Sequence, residues 1–194
     1  MIKVILFVLG IALVGFIAVQ IYAMKAQNKI ESYSYTVDKS YGNFEIRSYE
    51  ASLFTSVKLP MKNYKKGSSE GFSILAEYIF GGNDKNEKIS MTSPVTVSLE
   101  DTMTMMFLVP KKFNKESLPK PNQSKVEFRE EPKKTVAAIT FGGWADDENI
   151  ETYKSQLISL LKKEGIKHTN KFSFLGYNPP FEVFNRKNEV IVEL

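Results

Sequence analysis

The order of strand-like and helix-like segments repeats once along the chain, and this repetition limits the fold more than any other feature. Phe44-Glu45-Ile46-Arg47 alternates apolar and polar residues as a half-buried strand does, and residues 53–59 form a second run rich in β-branched and aromatic side chains. With only a short turn over 49–52 between them, the two read as a hairpin. After a loop over 60–67, Ser68 or Ser69 can cap a helix with Glu70 in its first turn. Phe72, Leu75, Ala76, Ile79 and Phe80 fall at helical spacing, and Gly81-Gly82-Asn83 supplies a left-handed end. Lys88-Ile89-Ser90-Met91, a turn at Thr92-Ser93-Pro94 and strands over 95–99 and 102–109 complete the first half.

The second half runs through the same order with a period of about 82 residues. Val126-Glu127-Phe128-Arg129 mirrors Phe44-Glu45-Ile46-Arg47, and residues 135–141 mirror the second strand. Asp146 or Asp147 can cap a helix whose apolar stripe is Ile150, Tyr153, Leu157, Leu160 and Leu161, ending at Gly165. Lys171-Phe172-Ser173-Phe174, a turn at Asn178-Pro179-Pro180 and a strand over 189–193 follow. One strand–strand–helix–strand–strand unit leaves an apolar sheet face and an apolar helix stripe uncovered, and two units can bury them together. The expected fold is α+β: a distorted, mostly antiparallel barrel or curved sheet with two flanking helices. The pseudo-repeats span 41–110 and 124–194, joined by a lysine- and proline-rich surface loop over 110–124.

Ahead of this domain, residues 4–24 carry no charge and are bounded by Lys3 and Lys25. As a helix this run spans about 30 Å, the thickness of a bilayer core, with its backbone hydrogen bonds satisfied internally. A cleaved signal peptide has a shorter apolar region and a small-x-small site. Ala23-Met24-Lys25-Ala26 places its small residues three apart, which favours an uncleaved anchor over 1–25. The short headpiece before the run favours a signal anchor that leaves the domain outside the cytoplasm, although Lys3 and the α-amino group on one side nearly balance Lys25 and Lys29 on the other. Residues 26–40 read as a polar linker to the domain over 41–194.

The chain has 194 residues, and the roughly 165 beyond the apolar run make one ordinary domain, able to bury a core unaided. It has no cysteine, which excludes thiolate catalysis, disulfides and Cys-based metal sites. Its net charge of +4 is spread out, apart from Lys111, Lys112, Lys115, Lys120 and Lys125. That cluster reads as a solvated loop or as an attractor for anionic headgroups or ligand carboxylates. There is no basic helix or aromatic-interleaved basic stripe, so nucleic acid is not an expected partner. Neither a nucleophile elbow nor a phosphate-binding glycine fingerprint occurs, and no catalytic set emerges.

Five blocks, in order, resemble one family. They are Tyr41 through Tyr49, Phe72 through Asn83, Lys88 through Val95, Gly176-Tyr177-Asn178-Pro179-Pro180, and Asn185-Arg186-Lys187-Asn188-Glu189-Val190. From about residue 33 to the C-terminus the chain resembles the SOUL family of haem-binding proteins. The resemblance implies a duplicated α+β barrel that binds haem or another tetrapyrrole in an apolar surface cleft near its first helix, without catalysis. The apolar anchor departs from the family's soluble animal members. On this reading the apolar wall candidates are Phe72, Leu75, Ile79, Phe181 and Phe184, and the propionate partners are Lys65, Lys66, Arg186 and Lys187. Leu75 and Ile79 also fit a plain core stripe, and Asn185 and Glu189 fit a loop-holding role.

For an iron ligand, His168 is the lone histidine but lies in a polar stretch outside every block. Met91, Met103, Met105 and Met106 fit core packing, and Tyr177 fits a packed aromatic. Apolar contact with ionic contact to the propionates is therefore expected. The duplicated architecture also resembles the effector-binding domains of bacterial multidrug-responsive regulators. That alternative, a module for amphipathic cations, requires carboxylates in the cleft.

Overall fold

A computed structural model describes residues 2–27, 30–60, 63–100 and 102–194. Lys29 and the α-amino group of Met1, weighed above for orientation, lie outside these residues. The elements are α1 (Ile2–Gln27), β1 (Tyr35–Ser40), β2 (Glu45–Tyr49), β3 (Ser52–Leu59), α2 (Tyr64–Ile79), β4 (Val95–Ser98), β5 (Met103–Leu108), β6 (Val126–Glu131), β7 (Lys134–Phe141), α3 (Asp147–Lys163), β8 (Phe172–Gly176) and β9 (Asn188–Glu193).

The strands form one 9-stranded sheet in the order β1-β2-β7-β9-β8-β4-β5-β3-β6, and every neighbouring pair is antiparallel. From β2 to β6 the order is symmetric about the β8–β4 contact. Exchanging β2 with β6, β3 with β7, β4 with β8 and β5 with β9 reproduces the same order from the other end. Registers follow suit. Ile46 faces Ala137, and Thr55 faces Phe128.

The hairpin expected from β2 and β3 does not form. Although only Glu50 and Ala51 separate them, β2 pairs with β1 and β7 while β3 pairs with β5 and β6, near the opposite end of the order. The short link bridges the seam of a curled sheet. Aromatic rings close that seam from within: Tyr33 lies 4.4 Å from Tyr49 on β2 and 5.1 Å from Phe54 on β3. Residues expected as linker also belong to the fold. Tyr35–Ser40 is strand β1, and Tyr33 N donates to Ser93 O while Ser93 N donates to Glu31 O. Their sequence is polar because β1 is a sheet edge, exposed along most of its length.

Both helices pack on the outer face, α2 over β3 and β5 and α3 over β7 and β9. The main core lies between, with Leu75, Ile79, Met103, Met105, Phe107, Leu157, Leu161, Phe174 and Val190. Helix α2 begins before the expected serine cap. Asn63 accepts from Lys66 N at 3.1 Å, and the Asp147 carboxylate takes the N–H groups of Tyr64 and Lys65. Those contacts satisfy donors that would otherwise be orphaned in the first turn. Gly67 and Gly71 then sit inside the helix because it lies close on the sheet. A Cβ at Gly71 would meet Leu59 Cδ1 at 2.8 Å and Met105 Cβ at 3.3 Å. Helix α3 starts as expected at Asp146, whose carboxylate accepts from Asn149 N at 2.7 Å, and Asp147 and Glu148 complement its dipole. Phe80, expected in the buried stripe, is the exposed C-cap of α2. Residues 88–91 form no strand, unlike their counterparts in β8. The bridge over 110–124 is pinned rather than free: Leu118 is buried, and Tyr78 OH donates to Pro119 O at 2.9 Å.

The inner face holds a charged cluster. Glu189 on β9 is fully buried and accepts from Arg47 Nη1 (2.9 Å), Tyr177 OH (2.6 Å) and Thr140 Oγ1 (3.0 Å), with Lys187 Nζ at 3.1 Å. Arg47 also holds Glu45 at 2.8 Å and lies 4.3 Å from the centre of the Tyr35 ring. Burial acts to raise the Glu189 carboxyl, but Arg47, Tyr177 and Lys187 outweigh it and hold the group below its ordinary 4.5.

Two stability predictions follow, both for the domain starting at Ile30. Gly71→Leu overpacks the α2–sheet contact and costs about 1–3 kcal/mol, read as a lower urea midpoint. Glu189→Gln leaves Arg47 without its buried partner and costs about 3–5 kcal/mol at neutral pH. A depressed carboxyl contributes stability above its unfolded value and loses it as pH falls through the folded one. The gap between wild type and Glu189→Gln therefore narrows as pH drops below 4.5. A gap independent of pH would show that the Glu189 charge is not what matters.

Candidate functional site

The centre of the outer face lies between α2 and α3, where β4 and β8 meet. There Phe107 faces Val95 across β5–β4, and Val95 faces Gly176 across β4–β8. Phe72 of α2 stands edge-on over Phe107 at 5.3 Å and stays 39% exposed. The segment over 177–187 leaves β8 from Gly176. One apolar row thus runs from α2 to the foot of this loop, with Phe72 exposed, Phe107 buried beneath it and Val95 half-buried; Phe72 and Val95 form its accessible shelf.

The loop is braced from within. The Asn178 side-chain oxygen accepts from Lys187 N at 2.6 Å, closing its neck. Arg186 Nη1 donates to Pro179 O (3.0 Å) and Glu182 O (2.6 Å), and its guanidinium lies 4.1 Å from the centre of the Trp144 ring. Asn188 Nδ2 donates to Gly143 O, tying the segment before α3 to the start of β9. The start of α2 is close by. Burial raises the Tyr64 phenol, and the nearby Arg186 charge opposes that rise. Burial also pulls Arg186 below its ordinary value, against the influence of Tyr64 and Glu182.

The expected site residues separate into three groups. Phe72, Lys65 and Lys66 lie exposed on α2, and the two amines have no ion-pair partner among the described residues. Phe181 and Phe184 lie exposed on the loop. Leu75 and Ile79 follow the plain core stripe that the spacing also allowed: both are buried, because the helix face that carries them is the one pressed on the sheet, and they offer no wall to a surface ligand. Arg186 and Lys187 point into the protein, Arg186 to the loop's carbonyls and Lys187 to Glu189 and the Tyr177 ring. Both are therefore engaged by the protein's own groups, while the Lys187 side chain stays 39% exposed. Asn185 takes a left-handed φ of 53°, a conformation asparagine tolerates.

Trp144, Gln20 and Tyr64 escaped the sequence reading. Trp144 is the sole tryptophan and is exposed beside the loop, a signal that was available. Gln20, the polar residue within the apolar run, donates to Phe181 O (3.1 Å) and accepts from Val183 N (3.0 Å).

The metal-ligand candidates do not converge. His168 lies before β8, at the strand end away from the loop, against Phe172. Tyr177 gives its proton to Glu189, and burial raises its phenol further. Met103 and Met105 lie under α2, and Met106 faces the inner cluster. No group of acidic or histidine residues among those described could hold a metal ion. A separate cavity of about 460 Å³ at the β6–β7 turn is lined by Glu131, Lys134, Lys171 and Glu193, whose charges pair with one another.

The chain is similar to known proteins in sequence and in fold. Heme-binding protein 2 from Homo sapiens is 30% identical over 158 residues, covering 77% of this chain and 77% of that protein. Heme-binding protein 1 from Xenopus laevis is 27% identical over 155 residues, covering 76% and 81%. Among solved structures, the EcmrR C-terminal domain superposes with a TM-score of 0.61 at 12% identity over 82% of this chain and 96% of that one. A hydrolase from Listeria innocua superposes at 0.52 and 12% identity, over 80% and 93%. At such identities the structural likenesses show a shared fold alone. The sequence model of the SOUL heme-binding protein family matches residues 30–193, and the chain belongs to that family.

Proposed function

We propose that this protein binds haem or a related tetrapyrrole at the shelf between α2 and the 177–187 loop, held at a membrane by α1. It stores, buffers or passes on its ligand and does not transform it. The observation that carries the reading is an apolar shelf, Phe72 and Val95 over the buried Phe107, on the same side of the fold as two exposed amines, Lys65 and Lys66, that have no ion-pair partner among the described residues. A flat apolar macrocycle with two carboxylates matches both features. The Asp147 carboxylate already occupies the N-terminus of α2, so the propionates meet the lysine amines rather than the helix end. Among the described residues no strong axial ligand lies near the shelf, so affinity comes from apolar and ionic contact. Family membership supports the ligand class, and the symmetric strand order supports descent from a duplicated half-domain.

Helix α1 supports the anchor: its window Lys3–Gln20 has a mean hydropathy of 2.4 and is almost wholly exposed. We read it as a signal anchor with the domain outside the cytoplasm. The alternative, a module for lipophilic cations, finds less support. The buried carboxylate of the inner face, Glu189, is already matched by Arg47 and Lys187.

Titrating residues 30–194 with haemin while following the Soret band tests the reading. A saturable one-to-one shift is expected, unchanged by His168→Ala. Phe72→Ala, and Lys65→Ala with Lys66→Ala, should each weaken binding about tenfold, or ~1.4 kcal/mol. No saturable binding at micromolar haemin would remove the proposal. Loss of binding in His168→Ala would reinstate the histidine as a ligand.

A further inference from the structure

We infer that the tip of the 177–187 loop, together with Trp144, is a bilayer-inserting surface that lays the domain against the same membrane that α1 enters. The inference rests on reading α1 as an anchor, and its occupant is a phospholipid bilayer.

The argument starts from Gln20. Residues 3–19 of α1 are exposed, whereas Gln20 is only 3% exposed, because both ends of its amide are committed to the loop at Phe181 O and Val183 N. One turn earlier, Phe16 meets Phe184 edge-on at 6.2 Å. The loop therefore touches α1 inside its apolar window, Lys3–Gln20. From Gln20 the uncharged run continues to Met24, about 6 Å further along the helix. A span that places residues 4–24 in the membrane places the loop tip in the outer part of the hydrocarbon, about 6 Å (at Gln20) to about 12 Å (at Phe16) in from its boundary.

Lipid tolerates irregular backbone only where its polar groups are satisfied by protein. This loop meets that condition at several points. Gln20 takes Phe181 O and Val183 N, Arg186 takes Pro179 O and Glu182 O, and Glu182 N donates to Pro179 O. A loop in water has no need of such bracing. Its side chains point the other way: Phe181 is 59% exposed, Phe184 52% and Trp144 54%. Clustered exposed aromatics are uncommon on a soluble surface, and tryptophan is characteristic of the membrane interface. The Arg186 guanidinium, stacked on Trp144 and bonded to the loop's carbonyls, links the aromatic surface to the bracing beneath it.

Because Trp144 is the sole tryptophan, its fluorescence reports on this surface alone. The full chain is reconstituted into phosphatidylcholine vesicles in which part of the lipid carries bromine, either near the glycerol end of the acyl chains or near their ends. Expected are a blue-shifted emission and stronger quenching by the shallow bromines. With Phe181→Asp and Phe184→Asp combined, quenching should fall to that of a water-exposed tryptophan while the circular dichroism spectrum is unchanged. An alkaline carbonate wash separates the two readings. A chain that stays in the vesicles with Trp144 unquenched overturns this surface and leaves the anchor standing. A chain that is stripped off defeats the anchor, and the surface then survives only if added brominated vesicles still quench Trp144. Quenching that is absent in vesicles but replaced by a concentration-dependent blue shift in detergent assigns the aromatics to a second protein copy and overturns the proposal.

Discussion

Glu189 has no access to water, and a carboxylate so placed keeps its charge only if the protein replaces every lost interaction. Its partners come from separate parts of the chain: Arg47 from β2, Thr140 from β7, Tyr177 from the end of β8 and Lys187 from the loop. Each must be in place for the others to be tolerated. The strand order near the seam and both ends of the 177–187 loop are thereby coupled through one buried charge. The apolar core could stabilise several arrangements of these strands, whereas the charge cluster discriminates among them, since a shifted register would strand Arg47 or Glu189 alone.

The same cluster bears on where a ligand can go. The inner face of the curl is filled by Tyr33, Tyr49, Phe54, Met106, Leu108 and Ile191, and its carboxylate is neutralised. The outer face is covered by two helices, and beside the loop Phe72 remains exposed over the buried Phe107, with Val95 half-buried next to it. Filling the interior moves the available apolar surface to the outside, at the junction of helix and loop. A fold shared with the EcmrR C-terminal domain therefore need not use the same space.

How far the sequence revealed this depends on whether the deciding partner is local. Strands β3, β4, β5, β6, β7 and β9 and the α3 cap were legible because alternation, β-branching and Asp146 act within a few residues. The start of α2 was not. Gly67 reads as a loop residue until Leu59 and Met103 are seen beneath it, and the cap at Asn63 is supported by Asp147 from the other half. The β2–β3 hairpin was the natural inference from a two-residue link, and it failed because the partners of both strands lie far away in sequence. At the site, periodicity put Phe72, Leu75 and Ile79 on one stripe but could not show that only Phe72 reaches past the sheet. Composition likewise named Arg186 and Lys187 as cations without showing that one brackets carbonyls and the other faces Glu189.

Gln20 links the two themes. A single amide within an otherwise apolar helix costs stability in lipid unless it is paired, and here it is paired with a loop backbone that would itself be unpaired there. Removing either side leaves the other's polar groups without these partners. That loop also walls the shelf, and its far end is closed by Tyr177 and Lys187 on Glu189. A macrocycle with an apolar face and an anionic edge concentrates at the bilayer surface, tails to one side and headgroups to the other. On the reading argued here, the loop's aromatic tip lies in that layer, and Lys65 and Lys66 lie at the nearby start of α2. A ligand could then pass from bilayer to shelf without crossing water, and this would give an anchored domain an advantage over a soluble one of the same fold.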